Sequence, residues 1–208
     1  SSVVNLVLAQ SITFDAVADK LISDASLVLS ASTTSGLAIT YTSNSATICS
    51  VAGNTVTFIK AGTCSITASQ NGVGSRYSAA SSVTQVFAIA AIAPTAPTLT
   101  TAEPGAFRVV ATWVAPSDLG GSTLIEYIIS YGERSDFADE NQFTSTNLTE
   151  SIGGLLQQHK YRIRVAAVTN AGLTSDWSNV LEATPFGAPT AVTITDAHQI
   201  RKIGRAHV

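Results

Sequence analysis

Short runs in which apolar and polar residues alternate extend along most of the chain, separated by glycine, proline or asparagine. In one run Val109, Ala111 and Trp113 occupy alternate positions, and Pro116 ends it because proline cannot donate to a strand ladder. Side chains of a strand point alternately to its two faces, so this period predicts strands buried on one side. The other predicted inward positions are Ile125, Tyr127, Ile129, Tyr131, Tyr161, Ile163, Val165 and Ala167. The predicted centre of the core is formed by Trp113, Tyr127, Tyr161 and Val165.

The first half of the chain shows the same period in shorter runs. Strands are predicted at residues 11–14, 37–42, 48–51, 55–59, 64–68 and 82–89, and residues 177–181 are predicted to close the last sheet. Turns are predicted around Gly53 and Gly62. Helical spacing appears only at Ala18, Leu21, Ile22 and Ala25. We expect an irregular crossing with one helical turn there, within an all-β chain of two tandem antiparallel β-sandwiches.

Proline-rich joints at residues 93–97 and 185–189 divide the chain. Two short sequences recur: Ser1-Ser2-Val3 returns at residues 81–83, and Ala96-Pro97-Thr98 returns at residues 188–190. Such recurrence favours a tandem array with stiff proline joints. The predicted divisions are the last strand of a preceding repeat (1–8), a first domain (9–92), a second domain (93–186) and the start of a further repeat (187–200). Residues 201–208 leave the pattern and resemble a translated sequencing adapter, so an assembly artefact is predicted there.

Charge and composition exclude several classes of partner. Charged residues make up 12% of the chain and the net charge is -3, so no strong field attracts nucleic acid or an anionic membrane. The hydrophobic share of 45% argues against disorder. No apolar run approaches the roughly 20 residues that a membrane-spanning helix needs, so no membrane insertion is expected in this segment.

The chain has two cysteines, Cys49 and Cys64, and the strand period points both toward the same apolar interior. Two interpretations follow from the residues: a disulfide across the two sheets, or two buried free thiols that pack as small hydrophobic groups. A metal site is not predicted, because two cysteines without a neighbouring histidine cannot complete a tetrahedral site.

Few residues have the types that catalysis or ligand binding uses. His159 is predicted to be an exposed loop residue, because no serine and aspartate accompany it in a triad arrangement. The acidic loop at residues 136–140 is predicted to be solvated rather than a calcium site, since it lacks alternating acids. Three further candidate sites can be named, and a structural interpretation is favoured for each. They are a calcium site at Asp15, Asp19 and Asp24, a sugar-stacking site at Phe137 and Trp177, and a glycosylation sequon at Asn147. We therefore expect no catalytic residue, no cofactor and no metal.

The first half resembles the bacterial Ig-like repeats of surface proteins. The matching segments, in order, are residues 10–14, 18–20, 36–37, 41–43, 51–56, 61–63 and 66–70. The resemblance implies a sandwich of about seven strands in a surface or secreted protein, without enzyme activity. The exported location that it implies, together with the habit of the family, favours the disulfide between Cys49 and Cys64.

The second half resembles a fibronectin type III domain. Trp113 stands at the central core position of the second strand of that family, and Leu155 followed by Tyr161 matches its tyrosine corner. The last hairpin is matched by Asn170, Gly172, Ser175 and Ser178. Residues 157–159 depart from the family pattern, so a looser corner turn is expected.

The resemblances together predict a non-catalytic, extracellular spacer segment of a modular bacterial surface or secreted protein. Its expected partners are the neighbouring modules of its own chain. One alternative is an adhesion module whose loops bind a protein or glycan ligand. The other is an accessory segment of a secreted polysaccharide-degrading enzyme.

Overall fold

The computed structural model describes residues 6–74 and 76–188, which form two β-sandwiches in tandem. The predicted all-β class is therefore confirmed. The predicted last strand of a preceding repeat (1–8) and start of a further repeat (187–200) lie mostly outside the described residues, and the adapter-like residues 201–208 lie wholly outside them. Of residues 6–8, which are described, Leu8 forms a bridge with Tyr77 of the first module.

The first module contains nine strands, seven of them short, and one turn of 3-10 helix. The strands are β1 (Ile12–Phe14), β2 (Lys20–Leu21), β3 (Ser26–Val28), β4 (Ala31–Thr33), β5 (Thr40–Ser43), β6 (Cys49–Ala52), β7 (Thr55–Phe58), β8 (Gly62–Ser69) and β9 (Val83–Ala90). One sheet has the order β2-β9-β8-β5, a second has the order β3-β7-β6, and β1 pairs with β4. Only the β2–β9 pair is parallel among the strand pairs of the described residues.

The expected irregular crossing lies between β1 and β3. The chain leaves the β1–β4 pair, joins β9 through β2, and makes a single 3-10 turn at Ile22–Asp24. Two carboxylates hold the crossing: Asp19 accepts a bond from the Ala88 amide at 2.7 Å, and Asp24 accepts one from the Leu21 amide at 3.0 Å. These bonds satisfy backbone donors that a strand ladder would otherwise pair.

The second module has seven antiparallel strands. They are β10 (Thr98–Gly105), β11 (Arg108–Val114), β12 (Leu124–Gly132), β13 (Asn141–Ser145), β14 (Thr149–Gly153), β15 (Tyr161–Thr169) and β16 (Leu181–Ala183). One sheet has the order β10-β11-β14 and the other β13-β12-β15-β16. Pro104 lies in β10, an edge strand, where its missing N–H removes no central ladder bond.

The cores lie between the facing sheets of each module. Trp113, Tyr127, Tyr161 and Val165 are all buried in one cluster of the second module. The rings of Trp113 and Tyr127 meet edge to face, with centroids 5.5 Å apart. In the first module the buried cluster contains Ile12, Phe14, Leu29, Cys49, Val56, Phe58, Cys64, Ile66, Ala68, Phe87 and Ile89.

Two details differ from the expected pattern. Ile125 is 51% exposed. Its outward position arises because the register of β12 against β15 shifts between Leu124 and Glu126, and such a bulge reverses the faces of the strand beyond that point. Leu124 packs against the core in its place. The last strand begins at Leu181 rather than at Trp177.

Truncating Trp113 is expected to destabilise the second module more than a conservative change at the same position. Trp113→Ala leaves a cavity between the sheets and should lower the free energy of unfolding by about 3–5 kcal/mol. Trp113→Phe should cost less, because it keeps an aromatic ring and removes an indole N–H that has no partner among the described residues, and an unpaired buried donor is itself unfavourable. Urea titration followed by aromatic fluorescence and circular dichroism measures both. An equal loss of unfolding free energy in the two variants would contradict the explanation by a cavity.

Candidate functional site

A disulfide joins the three-stranded sheet of the first module to its four-stranded sheet. The sulfurs of Cys49 in β6 and Cys64 in β8 are 1.99 Å apart, and their Cα atoms are 5.8 Å apart. Both residues are fully buried. The predicted bridge is confirmed, and it cross-links two strands that share no backbone ladder because they belong to different sheets.

The tyrosine corner lies at the end of the second module opposite the loop that contains Gly120. The phenol oxygen of Tyr161 accepts a bond from the Leu156 amide at 3.2 Å, while its ring packs against the core. Burial raises the pKa of Tyr161, so the phenol stays neutral near pH 7. Gln158, in the segment that departs from the family pattern, has φ of 64°, a left-handed conformation that closes the turn without proline.

Two serines attach the segment before β16 to the neighbouring strand β15. The hydroxyl of Ser178 accepts a bond from the Val165 amide, and that of Ser175 accepts one from the Ala167 amide, both at 2.9 Å. Each hydroxyl in turn donates to a backbone carbonyl, of Asn179 and Asp176 respectively, at 2.7 Å. The amides of Ser175 and Ser178 still donate to the Ala167 and Val165 carbonyls, so the hydroxyls replace only the carbonyl acceptors of a regular ladder. The regular strand therefore begins after these residues.

A stacked arginine covers the outer face of the larger sheet of the second module. Arg164 points outward from β15, and its guanidinium carbon lies 3.9 Å from the ring centroid of Phe137 and 4.2 Å from that of Trp177. Such distances are within the range of cation–π attraction. Both aromatic rings are thus engaged within the module, and for Trp177 this agrees with the packing role that the sequence favours. We call these three residues the arginine stack.

The arginine stack is tied to a carboxylate. Glu140 accepts a bond from Arg164 Nη2 at 2.7 Å and one from the hydroxyl of Ser130 at 2.5 Å. Ser130 is fully buried although it lies on the outer face, because the stack covers it. Hydrogen bonds from Ser130 and Arg164 lower the pKa of Glu140, and burial opposes them with a smaller effect than either bond.

The acidic loop at residues 136–140 bonds its aspartates to groups within the loop and beside it. Asp136 accepts two bonds from the guanidinium of Arg134 and one from the Ala138 amide. Asp139 accepts bonds from the amides of Glu133 and Arg134. The Arg134 pairing is the largest of the effects that hold the pKa of Asp136 far below its usual range. Residues 6–74 and 76–188 contain no group of three or more His, Cys, Asp or Glu side chains placed to hold a metal ion.

Loop folding also explains an unusual backbone angle. Phe137 is buried and has φ of 54°, a conformation that residues other than glycine rarely adopt. The strain is sustained because the loop amides are satisfied and the ring is held against Arg164, so the surroundings fix the backbone. One feature of the sequence pointed to this arrangement, namely the outward position of Arg164 on its strand. No periodic pattern surrounds Phe137, so the position of its ring could not be predicted.

Two further candidate sites are His159 and a cavity in the first module. His159 is exposed, and its Nδ1 lies 3.0 Å from a carboxylate oxygen of Glu133. A cavity of about 300 Å³ opens in the first module where the chain crosses between sheets, and its apolar lining includes Phe14, Val17, Leu27 and Leu29. Asp15 and Lys20 lie at this cavity too. The part of the chain that the structure describes has no helix long and apolar enough to cross a membrane.

Removing the disulfide is expected to destabilise the first module alone. The two cysteines are separated by 15 positions in the sequence. Freeing this loop in the double variant Cys49→Ala with Cys64→Ala should cost about 3 kcal/mol in the chain-entropy model. Differential scanning calorimetry with and without a reductant measures the change, and the second module is the internal control.

Reductant should lower the melting temperature of the wild type and leave that of the double variant unchanged. An unchanged wild-type melt, with two thiols titrating in the folded protein, would contradict this role of the bridge.

At acid pH the Glu140 carboxylate should no longer contribute to the stability of the fold. The folded pKa of Glu140 is below its ordinary value of 4.5, so the carboxylate stabilises the fold above that pH, and the effect disappears as the pH falls through the folded pKa. The melting temperature of the wild type should therefore exceed that of Glu140→Gln at pH 7, and the difference should shrink below pH 4.5. Glu103→Gln, at an exposed position of β10, is the matched control. A difference between wild type and Glu140→Gln that is constant with pH would show that the carboxylate charge contributes nothing.

The match to a family model concerns the second module. Residues 93–184 match the family model described as Fibronectin type III domain. The fibronectin type-III domain of human fibronectin type III domain containing protein 3 aligns at 22% identity and a TM-score of 0.41, over 48% of this chain and 92% of that one. Domains d3-d4 of the rat CD45 extracellular region align at 14% identity and a TM-score of 0.42, over 49% of this chain and 55% of that one.

A further solved structure, the beta-1,2-glucanase from Parabacteroides distasonis, aligns at 16% identity and a TM-score of 0.40. The alignment covers 52% of this chain and 16% of the glucanase chain. No curated protein matches the sequence. The family match covers the same strands that carry the buried tryptophan, the tyrosine corner and the serine bonds. Residues 93–184 are therefore a fibronectin type III domain.

Proposed function

We propose that this chain is a non-catalytic spacer segment of a modular extracellular protein, and that its first module is a bacterial Ig-like repeat. The observation that carries the spacer role is the internal use of polar side chains. The carboxylates of the acidic loop, Arg164 and the serines of the last hairpin all bond within their own module. Groups already bonded in this way serve rigidity, since a ligand must break these bonds to use them.

The extracellular location is supported by the disulfide. Bridges between buried cysteines form and persist in oxidising compartments and are rare in the cytosol. The order of strands in the first module supports an Ig-like repeat. Its chain starts at β1, crosses to pair with β9 through β2, and is bridged between sheets by Cys49 and Cys64.

An array that continues beyond both modules is supported by apolar side chains at the ends. Phe107, Leu156 and Phe186 are 44%, 57% and 52% exposed, and backbone bonds bring their segments together. At the other end Leu6 is exposed. Uncovered apolar groups of this kind commonly mark contact surfaces. They fit neighbouring repeats that pack against both ends of the pair of modules.

Binding by the chain on its own separates the spacer from the adhesion alternative. The 208-residue chain, immobilised through one terminus, is titrated with extracellular matrix proteins and with a panel of glycans by surface plasmon resonance. A spacer gives no saturable response. A saturable response that is lost when loop residues are changed, but not when Glu103→Gln is introduced, would replace the spacer role with adhesion.

Sequencing the source DNA across residue 200 separates the spacer from the accessory alternative. The expected continuation replaces residues 201–208 with further sandwich repeats after a proline joint. A catalytic domain in the same reading frame would make the chain the accessory segment of an enzyme.

A further inference from the structure

We infer that a loop of the second module, residues 118–121, locks the two modules in one mutual orientation. We call this loop, together with the linker residues 92–95, the joint. The inference goes beyond the spacer role, because it concerns how the modules are held and is independent of what they separate. It rests on contacts from three parts of the chain: the linker, the loop and two elements of the first module.

The linker is bonded to the loop at both of its ends. The Ile92 amide donates to the Gly120 carbonyl at 3.1 Å, and the Thr95 amide donates to the Asp118 carbonyl at 2.9 Å. The Thr95 hydroxyl accepts a bond from the Asp118 amide at 3.2 Å. Because an extended linker is fastened at two separate points, it does not act as a free tether.

Prolines restrict the remaining freedom of the linker. Pro94 and Pro97 lie on either side of Thr95, and both are buried. The pyrrolidine ring fixes φ near -65°, and burial of the ring adds packing to that restriction. The linker therefore has few backbone angles left with which to swing one module against the other.

The loop also touches the first module directly. The Ala61 amide, in the connection between β7 and β8, donates to the Gly121 carbonyl at 3.0 Å. A Cβ at position 121 would lie 2.8 Å from Cγ1 of Ile22 and 3.1 Å from the Ala61 nitrogen. Ile22 belongs to the 3-10 turn, so two separate elements of the first module meet one residue of the second.

Only glycine fits both loop positions. Gly120 and Gly121 have φ of 62° and 77°, in the left-handed region that glycine adopts without steric cost. A Cβ at Gly120 would overlap the carbonyl oxygen of Ile92. The Asp118 carboxylate accepts a bond from the Gly120 amide at 2.8 Å and holds this backbone shape.

These contacts together constrain rotation. Relative motion is the default for tandem domains unless their contact is substantial. Ala61 and Ile22 flank the start of the linker, because β8 and β2 both pair with the end of β9 that leads into it. Bending the linker away from the loop therefore breaks the Ala61 bond and separates Gly121 from Ile22. The pair of modules should consequently tumble as one body.

Residual dipolar couplings of the 208-residue chain test the joint. In the wild type, amides of the two modules should fit one common alignment tensor. Gly121→Ala should give two tensors of different magnitude, because the added methyl displaces Ile22 and Ala61. Gly154→Ala is the matched control: its φ of 74° imposes the same backbone strain, but a Cβ there meets nothing within 4 Å, so the common tensor should remain.

Two different tensors in the wild type would overturn the inference without any variant. A common tensor in Gly121→Ala, with both modules folded by their amide spectra, would overturn the role of Gly121. If that variant fails to fold, Ile22→Ala keeps the loop sequence intact and should by itself separate the two tensors; a common tensor there would equally overturn the contact. Saturable ligand binding by the chain would end the spacer proposal and leave these outcomes unchanged.

Discussion

The contact between facing sheets is the constraint on which both modules depend. A sheet in either module has one apolar face, and that face leaves water only when a second sheet covers it. In the second module the cover is made by large side chains, with Trp113 and Tyr127 meeting edge to face at its centre. In the first module, where the strands are short, a covalent bond between Cys49 and Cys64 supplements smaller side chains.

The outer sheet face of the second module shows how a charge-poor protein uses its polar groups. Arg164 is paired with Glu140 and enclosed by two aromatic rings, and the carboxylates of the acidic loop bond to nearby amides. Each bond satisfies a donor that the loop or the sheet leaves unpaired. The charged residues of this face therefore stabilise local structure, which is why a constellation of acids in the sequence need not indicate a metal site.

At the joint, unpaired backbone donors are likewise satisfied, but here the bonds cross the boundary between the two modules. Backbone amides at the end of one sandwich find acceptors in a loop of the other, and the glycine pair permits the approach. A residue that looks in the sequence like an ordinary turn glycine thus has a second role between domains. The two roles are compatible because both require a left-handed backbone without a side chain.

The sequence by itself determined the strand period, a module boundary near residue 93, the inward positions of Trp113 and Tyr127, and the shared face of the two cysteines. These follow from alternation along a strand, which is a local property. Resemblance to known families added the tyrosine corner. Only the tertiary structure decided which way Ile125 points, because a bulge depends on the register of two strands far apart in sequence.

Tertiary structure also decided the arginine stack and the contact of Gly121 with Ile22. The stack joins a strand residue to aromatic residues of a loop and of an irregular segment, and neither segment has a period that fixes its position. The joint brings together positions 22, 61 and 121. No local pattern records such pairs, since their distance is set by the packing of whole sheets and modules.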